Sequence, residues 1–146
     1  MRILGVDYGL ARIGLALSDE TEFLAQGLTV LKRSSDTAAC TDVVRIAREH
    51  DAGLIVVGLP KLLSGEVGER AKQCRRFGQL LETESGLPVE LFDERLTTVQ
   101  AERMLIGADV SRKKRRQVVD AVAATLLLQT YLDARRNRSH TVFPQD

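Results

Sequence analysis

The sequence predicts a single α/β domain in which a mixed β-sheet carries helices on both faces. The first two strand candidates are separated by only four residues, which suits a tight antiparallel connection. Further along, strand and helix patterns alternate in the order β-β-β-α-β-α-β-α-α, and such alternation builds parallel strands with crossover helices. With 146 residues, the chain has room for one hydrophobic core.

Five segments have the apolar patterns of strands: residues 2–7, 12–18, 23–32, 54–57 and 89–92. Tyr8 to Ala11 connect the first two strands. Leu54 to Val57 is apolar at every position, as expected for a central strand that is covered on both faces. Right-handed crossovers place this strand beside the first one and the strand of residues 89–92 beyond it. The sheet is therefore predicted to be mixed.

Four helices are expected, over residues 36–50, 69–84, 97–107 and 118–135. The segment Ser34-Ser35-Asp36 supplies N-cap chemistry to the first helix, and Gly86 with Pro88 ends the second. A basic loop is expected before the last helix. Residues 1–136 are predicted to form the domain, and residues 137–146 a flexible polar tail.

The composition is that of an ordinary globular protein, and its charge is unevenly distributed. Residues 1–100 hold 12 Lys/Arg against 15 Asp/Glu, whereas residues 101–146 hold 9 against 5. A basic segment at residues 112–116 could neutralise phosphates, or it could be a solvated loop.

Cys40 and Cys74 are predicted to be buried thiols, and no Cys/His cluster suggests zinc. No apolar run is long enough for a membrane span and no signal peptide is evident, so a cytoplasmic location without membrane association is expected.

Two acidic positions follow strands whose carboxyl ends are expected at one edge of the sheet. Asp7 ends the first strand, where open α/β sheets bind ligands; alternatively, it caps the turn through its own backbone. Asp93 and Glu94 end the last strand. The pleat would send one of these two carboxylates toward Asp7 and the other to the opposite face. An exposed polar turn is the alternative for this pair.

Asp120 is the most informative acid, because it lies on the apolar face of the last helix. Positions 120, 123, 124, 127, 128 and 131 share that face and hold Asp, Ala, Ala, Leu, Leu and Tyr. A buried, unpaired carboxylate costs several kcal/mol and requires a cation or hydrogen-bond donors. The alternative is a half-buried acid that is favoured by the helix dipole by about 0.3–1 kcal/mol.

Three carboxylates that converge at one edge need a counter-charge, because like charges raise one another's pKa. Mg²⁺ or Mn²⁺ would supply it, since these ions prefer oxygen ligands and leave positions for water and phosphate. Such ions support phosphodiester hydrolysis without a side-chain nucleophile. This agrees with the lack of a convincing Ser/His or Cys/His pair in the sequence.

Four segments carry a family resemblance: GVDYGLARIGLALSD near the start, IVVGLPKLLSGEVGERA in the middle, then DERLTTVQAE and VVDAVAATLLLQTYLD. They resemble the YqgF family, a bacterial group related to the RuvC Holliday-junction resolvases and to ribonuclease H. Their order and spacing cover nearly the whole chain up to about Leu132. The resemblance implies a ribonuclease-H-like fold with five strands in the order 3-2-1-4-5.

The resemblance also implies a function and a set of site residues. Its acidic set falls on Asp7, Glu94 and Asp120, with Asp93 still an alternative to Glu94. The implied activity is that of a Mg²⁺- or Mn²⁺-dependent nuclease that trims the 5′ end of precursor 16S ribosomal RNA, or that resolves branched DNA. The residues expected to contact nucleic acid are Arg12, Lys61, Arg95, Arg112, Lys113, Lys114, Arg115 and Arg116. RNA is the favoured partner, DNA is an alternative, and the protein is expected to be a monomer or a homodimer.

Two other classes of function share features with this sequence. An Asp-x-Gly turn between the first strands also occurs in sugar kinases and actin-like ATPases, but these need a second domain to close over ATP. A binding module without catalytic activity, which would hold RNA through the basic segment, is the other alternative. Aromatic residues make up 4% of the sequence, which argues against a large base-stacking surface.

Overall fold

The structure is a computed structural model that describes residues 1–60, 68–93 and 112–141, and in the last range the side chains of residues 122–138. Its five strands are β1 (Arg2–Tyr8), β2 (Arg12–Ser18), β3 (Ala25–Lys32), β4 (Ala52–Leu59) and β5 (Val89–Asp93). They form one sheet in the order β3-β2-β1-β4-β5. Strand β2 is antiparallel to both β1 and β3, whereas β1, β4 and β5 are parallel. The predicted mixed sheet and strand order are confirmed.

The described helices are α1 (Asp36–Glu49), α2 (Glu69–Ser85) and α3 (Arg112–Thr141). Helix α1 begins with the predicted cap, because the Ser35 side chain accepts a hydrogen bond from the backbone N–H of Ala38. Helix α2 ends at Gly86, whose φ of 72° is left-handed and suits glycine. The helix that was predicted over residues 97–107 lies outside the described residues.

Helices cover both faces of the sheet, and each face has its own core. Helices α1 and α2 pack on the side to which Leu4, Val6 and Tyr8 of β1 point. Helix α3 packs on the other side, against Ile3 of β1 and the neighbouring strands. Cys40 and Cys74 are buried free thiols, as predicted. The buried residues of α3 are Ala123, Ala124, Leu127, Leu128, Tyr131 and Leu132, which confirms the predicted apolar face for the described side chains.

The predicted basic loop at residues 112–116 is wrong, because α3 already begins at Arg112. Lys and Arg are good helix formers, and the segment from Arg112 to Thr141 contains neither Gly nor Pro. The helix also continues to Thr141, so residues 137–141 are helical where the polar tail was expected to begin. None of the described helices combines the length and the apolarity that a bilayer crossing needs.

Strand β3 begins two residues later than predicted, since Phe23 and Leu24 belong to a loop. The Asp19 carboxylate accepts hydrogen bonds from the backbone N–H groups of both residues, at 2.9 and 2.8 Å. The guanidinium of Arg136 stacks on the Phe23 ring, 4.4 Å from its centroid. These contacts fix a loop conformation that the apolar pattern alone did not reveal.

Gly5 allows α3 to lie directly on β1. A Cβ atom at this position would be 2.9 Å from Cβ of Leu128, which is too close. We therefore expect Gly5→Ala to lower the free energy of unfolding by about 1–3 kcal/mol, the usual range for overpacking. Gly78→Ala is the control, because its new Cβ would meet Leu91 at an ordinary 3.4 Å and alanine favours helix. Chemical denaturation of both variants measures this, and equal stability would contradict the close contact.

Candidate active site

Asp7 is a buried acid at the carboxyl end of the central strand. It is the next-to-last residue of β1, and 6% of its surface is exposed. Successive side chains of a strand point to opposite faces, so Asp7 shares the face of Ile3 and Gly5. Since that face packs against α3, the Asp7 carboxylate lies on the same side of the sheet as this helix.

Helix α3 runs antiparallel to β1, so its first half extends toward Asp7. Leu128 lies over Gly5, in the middle of β1. Further along the helix, Arg135 donates to Glu22 at 2.8 Å. Glu22 lies in the loop after β2, and the last residue of β2, Ser18, accepts a hydrogen bond from Ile3 near the start of β1. Asp120 precedes Leu128 by eight residues, or about 12 Å along the helix axis. The helix backbone therefore carries Asp120 to the edge of the sheet where Asp7 lies, although its side chain is outside the described part.

Strand β5 presents its even-numbered residues to α3. The Phe92 ring packs edge-to-face on the Tyr131 ring of α3, with centroids 5.4 Å apart, and the Tyr131 hydroxyl donates to Glu90 at 2.9 Å. Leu91 points the other way, toward Gly78 of α2. Strand alternation then assigns Asp93 to the face of α1 and α2, opposite to Asp7. The sequence-predicted residues Glu94 and Arg95 lie outside the described residues.

Arg12 is the predicted nucleic-acid contact that the structure brings nearest to Asp7 in the sheet. Asp7 pairs with Gly14 of β2, and Arg12 begins the same strand two residues earlier. Strand β2 has Arg12 on the same face as Gly14 and Ala16, because every second residue of a strand shares a face. Ala16 belongs to the core that α3 covers, so this is the face of α3. Such diagonal neighbours on one face are about 7–8 Å apart. Arg12 therefore adds a half-buried positive charge to the edge and face that carry Asp7.

The turn that follows Asp7 is held by a polar network on the other face. The Tyr8 hydroxyl donates to Asp36 at 2.6 Å, and Arg33 donates to the same carboxylate oxygen at 2.9 Å. Arg33 also donates to the carbonyl of Leu10 at 3.1 Å. Burial raises the pKa of Tyr8 above its ordinary value, and the hydrogen bond to Asp36 adds to this shift. The hydroxyl therefore stays protonated as a donor.

Gly9 in this turn admits no side chain, because a Cβ atom would be 2.4 Å from the carbonyl oxygen of Arg12. From α2, Arg70 donates through Nη2 to the carbonyl of Tyr8 at 2.9 Å. Its other terminal nitrogen, Nη1, is buried and has no hydrogen-bond partner within the described part of the chain. Arg12 of β2, Arg70 of α2 and Arg33 from the connection after β3 thus surround the turn between Asp7 and β2.

The described side chains at this edge do not by themselves form a complete metal site. Across residues 1–60, 68–93 and 122–138, no three His, Cys, Asp or Glu side chains are grouped as metal ligands. Asp7 fits such a site in its chemistry, since it is a buried carboxylate that offers hard oxygen donors. The remaining predicted residues have side chains outside the described part: Lys61, Glu94, Arg95, Arg112, Lys113, Lys114, Arg115, Arg116 and Asp120.

A cavity of about 620 Å³ lies at the other end of α3. Its lining residues are Thr21, Glu22, Glu90, Leu132, Arg135, Arg136 and Arg138. Arg135 pairs with Glu22 at 2.8 Å, and Arg136 forms an ion pair with Asp133. The positive charge of these two arginines is therefore largely compensated, and the cavity is separate from the edge that carries Asp7.

Comparison with known proteins identifies the family. The family model described as "RuvX: Holliday junction resolvase" matches residues 1–134. The chain belongs to the RuvX family. A relative from Thermoanaerobacter pseudethanolicus, named "Putative pre-16S rRNA nuclease", is 46% identical over 94% of this chain and 100% of its own length. A relative of the same name from Moorella thermoacetica is 49% identical over 91% of this chain and 95% of its own length.

Solved structures of resolvases have the same fold as this RuvX-family chain. RuvC of T. thermophilus in complex with a Holliday junction substrate aligns with a TM-score of 0.59 at 17% identity, over 94% of this chain and 96% of that one. The fowlpox virus resolvase in complex with Holliday junction DNA gives 0.55 at 13% identity, over 92% and 99%. The predicted ribonuclease-H-like fold is confirmed.

Sequence reasoning missed three residues that shape this RuvX-family site. Gly5 could have been noticed, because a glycine inside a strand often marks the close approach of another element. Arg33 and Arg70 gave no local signal, since each contacts backbone that is distant in the chain: Arg33 at Leu10 and Arg70 at Tyr8. Such contacts become visible only once the helices are placed on the sheet.

Proposed function

We propose that this RuvX-family protein is a divalent-metal-dependent nuclease that processes the 5′ end of precursor 16S ribosomal RNA in the cytoplasm. The observation that carries the proposal is the buried Asp7 carboxylate at the carboxyl end of β1, on the face that α3 covers. The relatives named for this activity match along almost their whole length, which supports the choice of substrate.

Glu94 and Asp120 complete the proposed acidic set. Asp93 falls on the face opposite to Asp7, which favours its neighbour Glu94 over Asp93 as the acid that acts with Asp7. Strands β1 and β5 are separated by β4, so Asp7 and the end of β5 are about two strand spacings, or roughly 10 Å, apart across the sheet. The antiparallel course of α3 supports Asp120 as the third member.

In this proposal, Asp7, Glu94 and Asp120 hold Mg²⁺ or Mn²⁺. When bound, the ions supply an activated water and charge stabilisation for the phosphodiester. The protein's own groups bind and orient the substrate. Arg12 offers its guanidinium to a phosphate beside Asp7.

A substrate panel tests the function. Purified protein would be incubated with Mg²⁺ or Mn²⁺ and precursor 16S ribosomal RNA, mature ribosomal RNA, single-stranded DNA or a four-way DNA junction. We expect metal-dependent cleavage at the 5′ extension of the precursor, and no cleavage with EDTA or with the Asp7→Asn variant. Cleavage that persists in EDTA would contradict the metal-dependent site.

Resolution of branched DNA is a second candidate, favoured by the description of the matching family model. Symmetric cleavage of a four-way junction calls for two active sites and hence a dimer. Preferential cleavage of the junction by a dimeric species would establish this alternative in place of RNA processing. A monomer that cleaves only the RNA precursor would argue against it.

The basic segment at the start of α3 is proposed to bind the nucleic-acid backbone. Replacing Arg112, Lys113, Lys114, Arg115 and Arg116 with Gln should weaken binding and flatten its salt dependence, by about 0.7 in log–log slope for each lost contact to a single strand. Binding titrations at several salt concentrations measure this. The control replaces Arg45, Arg48 and Arg76, which are exposed on α1 and α2. An unchanged slope in the basic-segment variant would mean that the segment is solvated surface.

A further inference from the structure

We propose that Arg70 is a positioning residue that fixes Asp7 for metal binding. This inference rests on the proposed function, because it assigns Arg70 a role at the same site. The contact that suggests it is the hydrogen bond from Nη2 of Arg70 to the carbonyl oxygen of Tyr8, at 2.9 Å. Tyr8 directly follows Asp7, so this bond holds the peptide backbone one residue from the carboxylate.

At Asp7 and Tyr8, β1 is paired with only one of its two neighbouring strands. The pairing of β1 with β4 extends to Val6 and Val57, whereas the pairing with β2 continues through Asp7 and Tyr8. On the side of β4, Arg70 supplies a donor just beyond the last paired residues. A charged donor makes a stronger hydrogen bond than a neutral one, and the fork of the guanidinium restricts its orientation.

The side chain of Tyr8 is fixed as well, so a movement of its carbonyl would be opposed from two directions. Its ring lies 4.7 Å from the Phe77 ring of α2, and its hydroxyl is bonded to Asp36. Nη1 of Arg70 is buried without a hydrogen-bond partner among the described residues. The buried guanidinium thus lies against the end of β1 and away from solvent. Arg70 therefore connects the first turn of α2 to the end of β1.

Direct Mn²⁺ binding to the substrate-free protein tests this role. Isothermal titration calorimetry or Mn²⁺ electron paramagnetic resonance would compare wild type, Arg70→Gln, Arg70→Lys and Asp7→Asn. Lys72→Gln is the matched control, since Lys72 is exposed on the same helix. We expect a Kd about 10–100-fold higher for Arg70→Gln, the usual effect of losing a residue that orients a metal ligand. Arg70→Lys should fall between, because an ammonium keeps one donor without the fork, and Lys72→Gln should match wild type.

Steady-state kinetics provides the second readout. In Arg70→Gln, activity should recover substantially at high Mn²⁺ while the KM for nucleic acid stays near that of wild type; a raised KM would instead make Arg70 a substrate contact and overturn the proposal. Wild-type Mn²⁺ affinity in Arg70→Gln would also overturn it, as would wild-type affinity in Arg70→Lys if the Gln variant does not fold. If wild type binds no Mn²⁺, or Asp7→Asn binds it normally, the proposed nuclease site fails. If wild type binds Mn²⁺, Asp7→Asn does not, and the Arg70 variants bind it as wild type does, then the proposed nuclease site stands and only the positioning role of Arg70 fails.

Discussion

Asp7→Asn is expected to lower the cleavage rate of precursor ribosomal RNA by about a thousandfold or more. A metal ion at a phosphodiester contributes several kcal/mol of transition-state stabilisation, and each 1.36 kcal/mol is a factor of ten in rate. Asn keeps the volume of Asp but loses the charge that holds the ion. Single-turnover cleavage at saturating Mg²⁺ or Mn²⁺ would measure the loss.

Binding and folding should survive this substitution. Nucleic-acid affinity is expected to change little, because phosphate contacts come from cationic residues elsewhere. Asp51→Asn is the control for removing one acid: Asp51 is exposed, and its φ of 54° suits Asn. If Asp7→Asn cleaves at the wild-type rate, the proposed site is wrong. If it unfolds, thermal denaturation will reveal this and Asp7→Glu can replace it.

Amide substitution should affect cleavage differently at Asp93, the last residue of β5, and at the next acid in the sequence, Glu94. Glu94→Gln is expected to reduce cleavage by about a hundredfold or more, as for a metal-holding carboxylate. Asp93→Asn should stay within about twofold of wild type, which corresponds to the ±0.5 kcal/mol typical of substitutions away from critical features. The reason is the pleat: Glu90 and Phe92 contact Tyr131 of α3, so Asp93 belongs to the other face.

The same cleavage assay and the same Mn²⁺ titration apply to both variants. Since the two residues are adjacent and both acidic, each serves as the control for the other. A large loss in Asp93→Asn with normal activity in Glu94→Gln would reverse the assignment and imply that the strand alternation breaks after Phe92. Normal activity in both variants would remove this segment from the site.

Much of the fold follows from local patterns in the sequence. The apolar runs of β1, β2 and β4 predicted their strands, because strands that are covered on both faces consist mostly of apolar residues. The order of elements and the right-handed crossover rule then predicted the sheet, which the structure confirms. The apolar face of α3 was visible for the same reason, as a 3.6-residue period.

Charge patterns were less informative about structure. The basic segment at Arg112 was predicted to be a loop, but it is helical. Lys and Arg are common in exposed loops and are also good helix formers, so their charge does not distinguish the two structures. Phe23 has a side chain that is common in strands, but it lies in a loop whose backbone N–H groups donate to the Asp19 carboxylate. In both cases the local composition allowed two conformations.

The sequence by itself determined the five strands, their order in the chain and the candidate acids, because these depend on periodicity and residue chemistry. It left open which of Asp93 and Glu94 faces Asp7, because a shift of one residue in the phase of a strand reverses its faces. Only the tertiary structure decided that Asp93 faces away from Asp7, through the contacts of Phe92 and Glu90 with α3. It likewise revealed Arg70 beside Tyr8, a contact between residues 62 positions apart that no local pattern encodes.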